Sequence, residues 1–316
     1  MINAAISHSS LLGDIGLMLT SPIMQRSLIA AILVGLSAPV VGTYLVHRRL
    51  AMMGDGIGHI ALTGVALGWL VGTWLNLSTP ETLAIPGALV VSILGALTLE
   101  LIRLTGRTSS DVALAILFYG GIAGGVLLIG LAGGTSSQLN AYLFGSIATV
   151  TQTDVWATLA LATFILAVGV GLAPALHSVC DDEDFARSTG LPVNFLSILI
   201  ALLAAFTVAT AMRVVGSLLV SALMIVPVAT AQLLTHSFRA TMGTAMLFGV
   251  STCITGLTLT YFYNLSPGAA IVVLAIIIYA AIFALRPLIE RARGRRIIAQ
   301  TSSSTMHPER TGGHQV

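Results

Sequence analysis

The chain has 316 residues, 56% of them hydrophobic and only 8% charged, with a mean hydropathy of +0.97 and a formal net charge of +2. Soluble domains carry about a quarter charged residues to clothe their cores, so the composition excludes a water-soluble globular protein and implies an all-α, polytopic membrane bundle. All fourteen positive charges are arginine; without lysine there is no P-loop phosphate site and no Schiff base, and so small a net charge offers no basic face to nucleic acid.

In chain order, residues 1–22 form a short extramembrane segment with no positive charge ahead of the apolar runs, unlike a cleaved signal peptide. A helix crossing the hydrocarbon layer needs about 20 apolar residues. Nine such runs are predicted, within a range of eight to ten: 23–46, 54–75, 83–104, 111–132, 154–176, 192–211, 214–235, 240–263 and 267–289. The sixth and seventh are nearly continuous. Together they make one transmembrane domain over 23–290, followed by a basic tail at 291–316 whose Ser/Thr run at 301–305, with Pro and Gly beyond, reads as disordered. Threading the nine spans puts twelve arginines on one side and only Arg26 and Arg213 on the other. By the positive-inside rule the C-terminus is cytosolic and the chain sits in the cell membrane.

Glycines at small-xxx-small spacing, namely Gly64, Gly68 and Gly72, Gly120 with Gly124, and Gly121 with Gly125, predict close helix packing. Cys180 and Cys253 are too few for a disulfide framework or a thiolate metal cage and read as free thiols.

Only His59 among the histidines falls inside an apolar run, and Asp55 stands one helical turn before it, on the same face. A carboxylate with an imidazole suits a divalent first-row ion, and two ligands per chain leave such an ion releasable. The same spacing equally fits a capping Asp55 with His59 bonded to it. Asp111, after Ser109 and Ser110, and Asp154, after Thr151 and Thr153, stand in N-cap contexts; Ser109 and Asp111 are also kept as candidate gate or structural positions. Glu100 and Arg103 fit a local ion pair. From Cys180 to Pro192, acids precede Arg187, Gly190 and Pro192, the signature of a short amphipathic helix near 181–190. Pro227 interrupts the seventh run and marks either a gate or a plain kink.

These motifs, in this order, resemble the membrane permease of ABC-type zinc and manganese importers, the ABC-3 family. Gly54-Asp55 through His59 is similar to the family's Gly-Asp-x-x-Ser-His, with Gly58 in place of the Ser. Ser109-Ser110-Asp111, Leu143-Phe144-Gly145-Ser146, Asp184-Phe185-Ala186-Arg187 through Gly190-Leu191, and Val214 to Leu223 with Pro227 match in turn. The resemblance implies a homodimeric permease that binds no permanent cofactor. Its implied partners are two ATP-binding subunits on the cytosolic side, which hold the ATP, and an extracytoplasmic metal-binding protein that delivers the ion. It makes Asp55 and His59 the metal-contacting pair. It makes Glu183, Asp184, Phe185, Ala186, Arg187 and Gly190 the segment that engages the ATPase. The chain itself is then not an enzyme, in keeping with the absence of Walker, HExxH and G-x-S-x-G signatures. Zinc is the preferred ion on the likeness of Leu218 to Ala231, with manganese and ferrous iron as the others. The rival is a secondary, ion-driven metal transporter.

Overall fold

The computed structural model describes residues 16–18, 20–106, 109–147, 150–263 and 265–304. Among them there is helix and no strand. The elements are α1 (Pro22–His47), α2 (Ala51–Trp74), a 3-10 turn (Pro80–Leu83), α3 (Ala84–Thr105), α4 (Ser110–Leu131), α5 (Ser136–Phe144), α6 (Gln152–Gly171), α7 (Ala173–Asp181), α8 (Glu183–Ser188), α9 (Val193–Val215), α10 (Val220–Leu234), α11 (Phe238–Tyr263) and α12 (Pro267–Ser304).

Each of the nine predicted runs finds a helix, and eight of these helices are long and apolar enough to cross a membrane. The seventh run is the shorter one, α10, because Gly216–Leu219 leave the helical path before it. Pro227 lies within α10, and the helix continues through it to Leu234. At the other end α12 runs on to Ser304, past the predicted limit of 289, since the Arg-rich stretch after Arg286 is compatible with helix; residues 305–316 of the predicted disordered tail, and residues 1–15, lie outside the described residues.

Helices α1, α2 and α9 are the most enclosed, while α4 and α12 carry long apolar faces outward. This is the distribution a bundle in lipid requires, since apolar side chains cost nothing there. The glycines of α2 lie along α3 and the 3-10 turn before it: an added Cβ would stand 2.5 Å from the Gly87 carbonyl oxygen at Gly64 and 2.0 Å from that of Leu83 at Gly68. On α4 the two predicted pairs separate. Gly121 and Gly125 pack on α2, at the His59 backbone and at Leu62, and Gly124 meets the Thr63 side chain, whereas Gly120 faces open space.

The break between α9 and α10 crosses the end of α5, and the two irregular stretches satisfy each other. Ser217 N donates to Tyr142 O at 2.9 Å, Leu218 N to Leu143 O at 3.2 Å and Ser146 N to Arg213 O at 3.3 Å. Non-helical backbone inside an apolar bundle has to be paired in this way, because no water is at hand. Two left-handed glycines make the crossing, Gly145 (φ 76°) and Gly216 (φ 90°). A Cβ on Gly216 would stand 2.2 Å from the Leu143 carbonyl oxygen. Gly216→Ala therefore meets both a disfavoured φ and a backbone clash, and is expected to destabilise the protein by at least about 2 kcal/mol. Gly120→Ala, in open space within a helix, is expected to be neutral or to stabilise by about 0.5–1 kcal/mol. Unfolding of the two variants in mixed detergent micelles reads opposite signs.

Candidate functional site

Asp55 lies in the first turns of α2, with His59 one turn on. His59 Nε2 is 3.7 Å from Asp55 Oδ1, beyond hydrogen-bond range. The pair is thus adjacent but not bonded. Asp55 instead accepts from Ser221 Oγ at 3.1 Å, across from α10. The His59 side chain is buried, its ring set edge-on against Phe118 of α4 with centroids 4.1 Å apart. Its Nδ1 has no hydrogen-bond partner among the described residues, and neither does the buried Ser217 Oγ.

Asp55 opens onto a groove of about 350 Å³ between α2 and α4, lined also by Met52, Asp111, Leu114, Ala115, Phe118 and Tyr119. Two carboxylates from different helices therefore line one apolar-walled recess, and Phe118, which packs on the His59 ring, forms part of its wall. Asp111 is free to do so because it is not the N-cap: Ser109 Oγ takes that role, accepting from Val112 N at 3.4 Å. No group of three or more His, Cys, Asp or Glu side chains converges closely enough to enclose a metal ion among the described residues. The arrangement offers a cation a few ligands and an open side, not a closed cage.

Asp154 likewise is not the cap but the third residue of a capping box, accepting from Thr151 N at 2.9 Å and Thr151 Oγ1 at 2.8 Å. It also pairs with Arg213 Nη1 at 3.3 Å, at the far end of α9 from α8. Cys180 and Cys253 are free and buried; burial pushes the Cys180 thiol up to about 12, so it stays protonated and inert.

At the other end of α9 sits the predicted amphipathic helix, found at Glu183–Ser188. Asp182 Oδ1 caps it, accepting from the backbone N–H of Asp184 at 2.9 Å and of Phe185 at 3.0 Å. Gly190, at φ 83°, turns the chain out of it. The six residues assigned to this segment divide by direction. Asp184, Phe185, Arg187 and Gly190 face outward, and Phe185 is 61% exposed. Beside Arg187 a shallow hollow runs to Phe195, which is also 61% exposed. Ala186 is buried, and Glu183 turns inward to Arg48 and Arg103. Burial works against the Glu183 carboxylate, but the hydrogen bonds and charges of Arg48 and Arg103 outweigh it and hold its pKa below the usual glutamate range. Arg103 binds Glu100 as well, at 2.7 Å, the predicted local pair.

The comparisons with known proteins follow the same outline. The model of the ABC 3 transport family matches residues 20–286. The chain belongs to that family. It is 33% identical over 285 residues to the manganese transport system membrane protein MntC of Halalkalibacterium halodurans, covering 89% of this chain and 94% of that protein. It is 31% identical over 264 residues to the manganese import system permease protein ScaB of Streptococcus gordonii, covering 84% and 91%. Among solved structures, PsaBC from Streptococcus pneumoniae in complex with Fab superposes with a TM-score of 0.76 at 32% identity, over 86% of this chain and 95% of that one. The multi-pass, all-helical architecture is thus that of an ABC transport permease.

Sequence reasoning missed Ser221 as a partner of Asp55. Its signal was there: Ser217 and Ser221 are two hydroxyls one turn apart in an otherwise apolar run. Gly58, the departure from the family motif, has a steric reason. A Cβ there would lie 2.7 Å from the Ser217 carbonyl oxygen. Gly58→Ser, although it restores the motif, is expected to push the 216–219 segment away and cost about 1–3 kcal/mol of stability, read as an earlier thermal transition in detergent than that of the parent chain.

Proposed function

We propose that this chain is the pathway subunit of an ATP-driven importer of divalent transition-metal ions, with manganese as the preferred cargo. The observation that carries this reading is the groove lined by both Asp55 and Asp111, with His59 Nε2 3.7 Å from Asp55. Asp55 with its neighbours Ser221 and His59 offers oxygen donors and one imidazole, and a second carboxylate, Asp111, lines the same groove; such an oxygen-weighted supply suits manganese better than a thiolate- or histidine-rich one would. The names of MntC and ScaB point the same way. The motif likeness that favoured zinc weighs less than these, and zinc and ferrous iron are the competing ions. Asp55 and His59 act as transient ligands to the cargo; water or the groove's own carboxylates complete its shell, so the ion is never caged and is free to leave.

The permease works as a homodimer. ATP is bound and hydrolysed on separate subunits that dock from the cytosol on Asp184, Phe185 and Arg187, an extracytoplasmic protein delivers the ion, and the basic end of the bundle, C-terminus included, is cytosolic in the cell membrane. Nucleotide-driven closure of the docked subunits switches the pathway from one side to the other. Proteoliposomes containing this chain, its ATP-binding subunit and its binding protein test the reading through uptake of radioactive manganese and zinc. ATP-dependent uptake preferring manganese is expected, falling at least about tenfold in Asp55→Ala and His59→Ala while the complex still assembles. Uptake driven by an ion gradient without the ATP-binding subunit would replace this reading with a secondary transporter.

A further inference from the structure

The docking segment must hand its motion to the pathway through something, and the contacts it makes inward are few. Helix α8 has only six residues, too short to hold itself together without its neighbours. Of those residues only Ala186 is buried, while Glu183 reaches the bundle. The Glu183 carboxylate receives a hydrogen bond from Arg48 Nη2 and another from Arg103 Nη1 at 2.9 Å. Ser197 Oγ on α9 accepts from Arg48 at 3.0 Å, and the Arg48 side chain is only 4% exposed.

The two arginines are not equivalent. Arg103 is held on α3 by Glu100, itself buried, whether or not Glu183 is present. Arg48 has Glu183 as its only carboxylate among the described residues. Arg48 is also the residue that ends α1, and α2 begins three residues later at Ala51. The turn has no slack: Leu50 N donates to Leu45 O at 2.8 Å and Arg49 N to Val46 O at 3.1 Å. Asp55 follows within the first turns of α2. A buried guanidinium that loses its carboxylate is costly, so the Glu183–Arg48 bond ties the position of α8 to the start of α2.

We propose that Glu183 is a positioning residue for transport: through Arg48 it links the docking helix to the α1–α2 turn and so sets the placement of Asp55 and His59. The proposal rests on the reading given under Proposed function and adds to it a residue that faces away from the partner. Docking and transmission are thereby divided within one helix, Phe185 and Arg187 serving the first and Glu183 the second.

The test is made in the complete complex in proteoliposomes, measuring assembly, ATP hydrolysis and manganese uptake on the same samples. Glu183→Gln keeps the shape and removes the charge. It is expected to assemble and hydrolyse ATP but to move at least about fivefold fewer ions per ATP, and Glu183→Asp is expected to recover part of that ratio. Phe185→Ala, by contrast, is expected to lose assembly. Arg48→Lys, which keeps the charge but not the forked hydrogen bonding, should lower the ratio as Glu183→Gln does, and it decides the matter if the Gln variant fails to fold. A wild-type ratio in both Glu183→Gln and Arg48→Lys overturns the proposal, and so does a loss of assembly in Glu183→Gln equal to that of Phe185→Ala. Wild-type uptake that needs no ATP overturns the transport reading itself, an outcome distinct from either.

Discussion

Inside an apolar bundle a backbone that leaves the helix has to find partners for its own N–H and C=O groups, and that constraint organises the centre of this protein. The stretch after α9 leaves the helix at Gly216, and its freed groups are met by the end of α5. This is only geometrically available because Gly145 and Gly216 let two backbones cross without side chains between them. The crossing then fixes the rest. It sets the Ser217 carbonyl against Gly58 and starts α10 where Ser221 reaches Asp55. The donor set beside the groove is therefore a consequence of a backbone pairing, and the Gly at position 58 follows from how closely that pairing lies on α2.

The opposite demand, placing charge where it is needed at tolerable cost, shapes the end of the bundle that carries α8. Arg48, Arg103, Glu100 and Glu183 are balanced in sign and share hydrogen bonds with one another and with Ser197. Buried charges survive only when paired and bonded, and here the pairing joins α1, α3, α8 and α9 at a single point. Cohesion at this end comes from the ion cluster. At the far end of α9 a smaller device, Asp154 with Arg213, ties α6 to α9.

Much of this was legible in the sequence, and the limits are physical. Hydropathy places all nine apolar helices because each is a local, contiguous signal. The short length of α10 is not legible that way, since the run is equally apolar on both sides of Gly216 and the break depends on α5, some seventy residues earlier in the chain. Asp55 and His59 are found by their spacing on one helix, while their surroundings come from Ser221 on α10 and Phe118 and Asp111 on α4. The acids read as caps show the same limit. Ser109 and Thr151 take the N-cap positions, which leaves Asp111 to the groove and Asp154 to close the capping box from its third residue while pairing with Arg213. The inward turn of Glu183 depends on Arg48, 135 positions away, and a reading by amphipathic pattern treats every charge on α8 as solvent-facing.

A binding site for cargo that must be given up differs in kind from one that stores a metal. A closed tetrahedral or octahedral cage gains affinity by supplying every ligand, and it loses the ability to release on the timescale of a transport cycle. The groove beside α2 and α4 stops short of that. His59 Nε2 and Asp55 lie close but unbonded, His59 Nδ1 and the Ser217 hydroxyl have no hydrogen-bond partner among the described residues, and the ring of Phe118 packs edge-on against His59. Unsatisfied buried polar atoms are costly, and these two lie where the 216–219 segment packs on α2. On the proposed reading a cation meets that demand only while it is present. On the same reading, a shift at the start of α2 alters the spacing of Asp55 and His59 from Ser221 and Asp111 on its neighbours, and with it how many groups reach the ion at once.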